Sequence, residues 1–83
     1  MAPTRKEIKE WLLEGKKEGA THVIIVCDQF DYEDYPVKVM PDEDVHEKCK
    51  EYNNYEKMSK VMEVYNLKKN IEEQLKERRS FNY

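Results

Sequence analysis

The sequence predicts a small α+β domain, a β-hairpin packed on helices, and three observations carry that prediction. The first is the run Val23–Cys27, continuously apolar and rich in β-branched residues, which at this length favours a strand over a helix. The second is the alternation of Tyr35, Val37 and Val39 with Pro36, Lys38 and Met40, the pattern of a half-exposed second strand. The third is helical periodicity on both sides of this pair, with capping signals at the helix starts. The expected order is α-β-β-α-α, in two layers and one domain spanning residues 1–83.

The first helix is predicted over residues 5–18. Thr4 and Glu7 form a capping box, in which the threonine hydroxyl and the glutamate carboxylate each accept a backbone N–H that the helix leaves unpaired. Ile8, Trp11 and Leu12 follow at helical spacing, with Trp11 expected to anchor the helix on the sheet. Lys16 and Lys17 complement the dipole at the last turn, and Gly19 supplies the C′ residue.

The central strand is apolar on both faces. Val23, Ile25 and Cys27 point one way and Ile24 and Val26 the other, so helices or a second subunit must cover both sides. Pro36 cannot donate to a ladder, so the second strand is an edge strand or begins there. Asp31–Asp34 reads as the hairpin loop. Pro41 ends the second strand, and Asp42, Glu43 and Asp44 signal a helix start. Val45, Cys49 and Tyr52 share one face of that helix, His46 falls off the stripe, and Asn53 and Asn54 break it.

Residues Tyr55–Arg79 carry the longest helical pattern, and its stripe changes direction. Met58, Val61, Met62 and Tyr65 form one face; Val64, Leu67, Ile71 and Leu75 form another. The two readings are a break near Asn66 and one continuous helix with two buried faces. The lack of Pro or Gly favours continuity, and a second buried face implies a homo-oligomer.

Composition limits the function classes. Charged residues are 40% of the 83 and apolar residues 39%, with a net charge of −3. No apolar run is long enough for a membrane span, and the polar N-terminal stretch does not read as a signal peptide. Residues 28–44 hold seven acids (Asp28, Asp31, Glu33, Asp34, Asp42, Glu43, Asp44) against one base, Lys38, so generic nucleic-acid binding lacks its basic footprint. Cys27 and Cys49 lack metal-ligand spacing and read as reduced core thiols.

Enzyme signatures are mostly missing. The two glycines, Gly15 and Gly19, bracket the end of the first helix, so there is no Gly-rich phosphate loop, and serine occurs only at Ser59 and Ser80. The acids at 28–34 could bind a divalent cation, but their spacing is not that of an EF-hand. A small metal-dependent hydrolase is the minor alternative; no metal or cofactor is expected.

Binding is better supported. Phe30, Tyr32 and Tyr35 interleave with Asp28, Asp31, Glu33 and Asp34. Aromatic rings can stack on a base and carboxylates can accept from ribose hydroxyls. Phosphate needs cations, and Arg78 and Arg79 lead the candidates, with Arg5 and Lys38 behind them. The expected ligand site is therefore Asp28, Phe30, Asp31, Tyr32, Glu33, Asp34, Tyr35, Arg78 and Arg79. The same acidic, aromatic hairpin also fits a basic protein surface.

The segment Gly19–Val37, GATHVIIVCDQFDYEDYPV, with Met62–Leu67, MEVYNL, downstream, resembles a family of small bacteriophage and prophage proteins that carries no known catalytic motif. The resemblance covers nearly the whole chain. Small phage proteins outside the virion commonly counter host systems. By functional analogy with the anti-defence sponges, the resemblance implies a non-enzymatic homo-oligomer, in the cytoplasm of an infected bacterium, that sequesters a nucleotide-derived immune signal. The alternative it implies is a protein-directed inhibitor of a host defence enzyme or CRISPR effector, acting through the hairpin.

Overall fold

The computed structural model describes residues 3–83 and shows an α+β fold. Its elements are α1 (Arg5–Lys17), β1 (His22–Asp28), β2 (Glu33–Val39), α2 (Val45–Tyr52), β3 (Ser59–Asn66) and α3 (Ile71–Lys76). The three strands form one antiparallel sheet in the order β2-β1-β3. The order α-β-β-α-β-α corrects the expected α-β-β-α-α.

Local chemistry explains the first four elements. Thr4 and Glu7 make the reciprocal capping box at the start of α1, and Gly19, at φ +86°, follows its end. A left-handed residue there suits glycine, which has no Cβ to clash. Gly15 lies within α1 for a different reason: a Cβ on it would meet Val23 Cγ2 at 2.9 Å, so its small size sets the close approach of helix to sheet. Asp44 caps α2 by accepting from His46 N and Glu47 N. β2 is an edge strand with Pro36 inside it, so of the two expectations set by that proline the edge strand holds and a start at Pro36 does not.

The sheet is covered on both sides by the chain's own helices. Val23, Ile25, Tyr65 and Leu67 pack with Ile8 and Leu12 of α1, and with Ile71 and Leu75 of α3. Ile24, Val26, Val39 and Val64 pack with Val45, Cys49 and Tyr52 of α2. The layering is thus helix–sheet–helix and not two layers. Trp11 packs against the first of these cores, as expected.

The long helix predicted over Tyr55–Arg79 is β3 followed by α3. The pairing of β1 with β3 shifts between Ile25, opposite Glu63, and Val26, opposite Val61, which leaves Met62 as an extra residue in a β-bulge. The bulge converts the strand period of two into spacings of three: Val61 and Val64 face α2, while Met62 and Tyr65 face α1. Spacings of three imitate a helical stripe. The change of stripe direction marks the passage from strand to helix. Gln74 fixes that passage: its side chain accepts from Asn66 N at 2.8 Å and donates to the backbone oxygens of Asn66 and Asn70 at 2.8 and 3.1 Å. Of the apolar positions that implied a partner subunit, Val64 and Leu67 are buried within the chain, and Ile71 and Leu75 are half-buried against its own core.

The C-terminal segment lies along the outer edge of β3. Val64 N donates to Ser80 O at 2.7 Å and Asn82 N donates to Val64 O at 2.9 Å, a parallel bridge centred on Phe81. Among the described residues no helix is long and apolar enough to cross a membrane.

Candidate functional site

The bulge, the start of α1 and the segment after α3 enclose a cleft of about 320 Å³. Pro3, Arg5 and Ile8 line it from the N-terminal side, Met62 and Glu63 from the bulge, Asp34 from β2, and Arg78 and Arg79 from the segment after α3. Its floor is an ionic network. Glu63, only 8% exposed, holds Arg5 Nη1 at 3.3 Å from both carboxylate oxygens. Tyr65 Oη donates to Glu63 Oε2 at 3.0 Å, and Ser80 N donates to the same oxygen at 3.0 Å.

Arg5 spends its remaining donors nearby. Nη1 reaches Tyr65 Oη at 2.8 Å, and Nη2 reaches the backbone oxygens of Glu77 and Arg78 at 3.0 and 3.2 Å. A carboxylate taken out of water is tolerable only when charge and hydrogen bonds both compensate it. Here both do, and the same guanidinium fixes the backbone that carries Arg78 and Arg79. Burial, and then the neighbouring Glu63 charge, push the Tyr65 hydroxyl well above its ordinary range, with Arg5 opposing, so Tyr65 is a neutral donor in this network.

Arg5 is therefore a scaffold cation and not an open ligand for phosphate. Lys38, the other secondary candidate, is held at 3.3 Å by Glu14 and also by Glu18. Arg78 and Arg79 differ: both are exposed, and among the described residues neither guanidinium has an ion-pair partner. With Arg5 offset by Glu63, the two arginines outweigh Asp34, and the cleft carries a positive balance on a chain of net negative charge.

Of the nine residues expected to form one site, the structure brings Asp34, Arg78 and Arg79 together. The rest of the hairpin lies elsewhere. The loop is Gln29–Tyr32 and not Asp31–Asp34, so Glu33 and Asp34 are paired strand residues opposite Asp28 and Cys27. Two short carboxylates set this earlier turn: Asp28 Oδ1 accepts Phe30 N at 2.9 Å, and Asp31 Oδ1 accepts Glu33 N at 3.2 Å. Tyr35 meets Tyr52 of α2 edge to face, with ring centroids 6.5 Å apart. It thus lies on the opposite side of the sheet from Asp34. Phe30 and Tyr32 stand at the loop tip. Among the described residues, no group of three or more His, Cys, Asp or Glu is arranged to hold a metal ion.

The Glu63 network was not foreseen. Its signal was present: Glu63 is the one charged residue in Val61–Leu67, and on a strand packed inside the fold such a residue demands a cation.

A second groove, of about 280 Å³, lies on the α2 side between that helix and the C-terminal segment, lined in part by His46, Cys49, Phe81 and Tyr83. His46 stacks on Tyr83 at 4.8 Å, and His22 Nε2 lies 2.9 Å from the Tyr83 backbone oxygen, to which it donates. Both cysteines are free thiols on opposite sides of the sheet. Burial raises the Cys49 thiol above its ordinary range; burial, then Asp34, does the same for Cys27. Neither is thereby activated as a nucleophile.

Comparison with protein-family models, with curated proteins and with solved structures returned no match to this chain.

Proposed function

We propose that the protein binds a nucleotide-type anion in the Arg78–Arg79 cleft and withholds it without cleaving it. One observation carries this reading: two guanidiniums with no ion-pair partner among the described residues meet a carboxylate, Asp34, across a cleft of about 320 Å³. Arg78 and Arg79 would supply charge-assisted hydrogen bonds to phosphate. Asp34 would accept from ribose hydroxyls, and Ile8, Met62 and Pro3 offer apolar wall to sugar or base. A volume near 300 Å³ suits a ligand of mononucleotide size.

Binding is favoured over catalysis by the state of the other carboxylate in the cleft. Both oxygens of Glu63 are occupied by Arg5, and one also by Tyr65 and Ser80, which leaves it poorly placed to take a proton. Joined to the resemblance to phage proteins, the cleft fits the withholding of a nucleotide-derived immune signal from a bacterial host.

Calorimetric titration with AMP, ADP and a cyclic dinucleotide tests the reading, followed by heat release and chromatography of the ligand. The expected result is binding, intact recovery, and a loss of about 1.5–3 kcal/mol in Arg78→Ala, as for one hydrogen bond to a charged group. Failure of all three to bind at millimolar concentration would sink the proposal, and recovery of a cleaved product would replace withholding with hydrolysis.

A further inference from the structure

The cleft leaves one surface of the molecule unused. Loop Gln29–Tyr32 and the connection Asn53–Met58 lie at the same end of the sheet, where Asp28 pairs with both Glu33 and Ser59. Gln29 N donates to Met58 O at 2.7 Å and ties the two loops together. Between them they expose Phe30 at 78%, Tyr32 at 70%, Tyr55 at 91% and Met58 at 42%. Single exposed apolar side chains are ordinary on protein surfaces; several gathered on two tethered loops mark an interaction site.

Both loops are held by internal hydrogen bonds. Tyr32 N donates to Asp28 O at 2.7 Å, Glu56 N to Asn54 Oδ1 at 2.9 Å, and Met58 N to Tyr55 O at 3.1 Å. A surface ordered in this way gives up little conformational freedom on binding.

We infer that this two-loop surface docks onto a basic protein partner, with Phe30 and Tyr55 as its apolar anchors. Charge selects the occupant. Asp28, Asp31 and Glu33 flank the aromatics of the first loop, and Glu56 offsets Lys57 in the second, so the two loops together are net acidic. Nucleic acid and an anionic membrane are repelled by such a rim. A second copy presenting the same patch would set carboxylates against carboxylates. A surface of Arg and Lys around an apolar socket complements it, with aromatic side chains as the expected hot spots. This inference is independent of the cleft.

The test uses the full chain and two synthetic peptides of equal charge, one of Arg-Leu repeats and one of Arg-Ser repeats, with binding read by fluorescence anisotropy. The Arg-Leu peptide should bind at least about tenfold more tightly than the Arg-Ser peptide, because only it can fill an apolar contact. The double variant Phe30→Ser, Tyr55→Ser should lose about tenfold for the Arg-Leu peptide at an unchanged melting temperature, since both side chains are largely in solvent. Arg78→Ala, Arg79→Ala should bind the peptide no more weakly than wild type, which separates this surface from the cleft. Equal binding of the two peptides, or indifference to the double variant, overturns the inference. So does single-stranded DNA, an anionic phosphatidylserine vesicle or self-association that binds in place of the peptide and is lost in the double variant.

Discussion

The two sides of the sheet are built from alternate residues of the same three strands, yet they solve different problems. The side under α2 is an apolar core closed by an eight-residue helix: Ile24, Val26, Val39, Val45 and Val64 are buried there. The side under α1 and α3 has an apolar core of similar kind, but at one end the bulge at Met62 turns a carboxylate inward and the packing gives way to the Arg5–Glu63–Tyr65 network. The difference shows what a single inserted residue can do. It ends the dry packing on one side and opens a polar cleft, while the α2 side stays apolar through Val61 and Val64.

The sharpest way to break this contrast is Arg5→Ala. It leaves Glu63 buried without its cation and frees the backbone of Glu77 and Arg78. Breaking a fully buried pair costs about 3–5 kcal/mol. Arg5 is 44% exposed, so about 2–3 kcal/mol is expected after solvent screening, measured by urea denaturation.

Alkaline pH should separate the two sides next. Tyr65 is more readily kept neutral in the folded chain than in the unfolded one, so its contribution is intact below the ordinary value of 10.0 and is lost as pH rises beyond it. Each pH unit above that value should remove up to about 1.4 kcal/mol, until the raised folded value is reached. Tyr65→Phe should show a shallower decline; a parallel decline in both proteins would place the alkaline sensitivity elsewhere.

The smallest effect belongs to the α2 side. Asp44→Ala removes the cap of a short helix and should cost about 1 kcal/mol, seen as a lower melting temperature with the cleft's ligand affinity unchanged. A change in that affinity would mean that the two sides are coupled through β1.

What could be read from the sequence follows the same division. The capping box at Thr4, the helix start signalled by Asp42, Glu43 and Asp44, and the two-faced strand Val23–Val26 are local patterns with local causes, and the structure bears them out. β3 was illegible because the bulge gave its apolar residues the spacing of a helix. The cleft was legible in part. Asp34, Arg78 and Arg79 could be named from their chemistry, but that Asp34 alone of the hairpin residues meets the arginines depends on strand register, which the turn at Asp28 and Asp31 shifts. A one-residue slip would send Asp34 to the other face. The role of Arg5 as a scaffold, and not as a ligand, could be seen only once Glu63 was placed on a strand.

The hydrogen bonds of Arg5 reach 58 residues along the chain to Glu63, 60 to Tyr65, 72 to Glu77 and 73 to Arg78. During synthesis, then, Arg5 waits for partners made 58 to 73 residues later. The hairpin of β1 and β2 can pair while the ribosome is still adding residues, but the latch that joins α1 to the segment after α3 cannot close until that segment has been made. Contacts this distant in sequence are slow to form, because a long loop must be closed before they repay it. A nascent chain halted before Arg78 would carry its hairpin and lack its cleft.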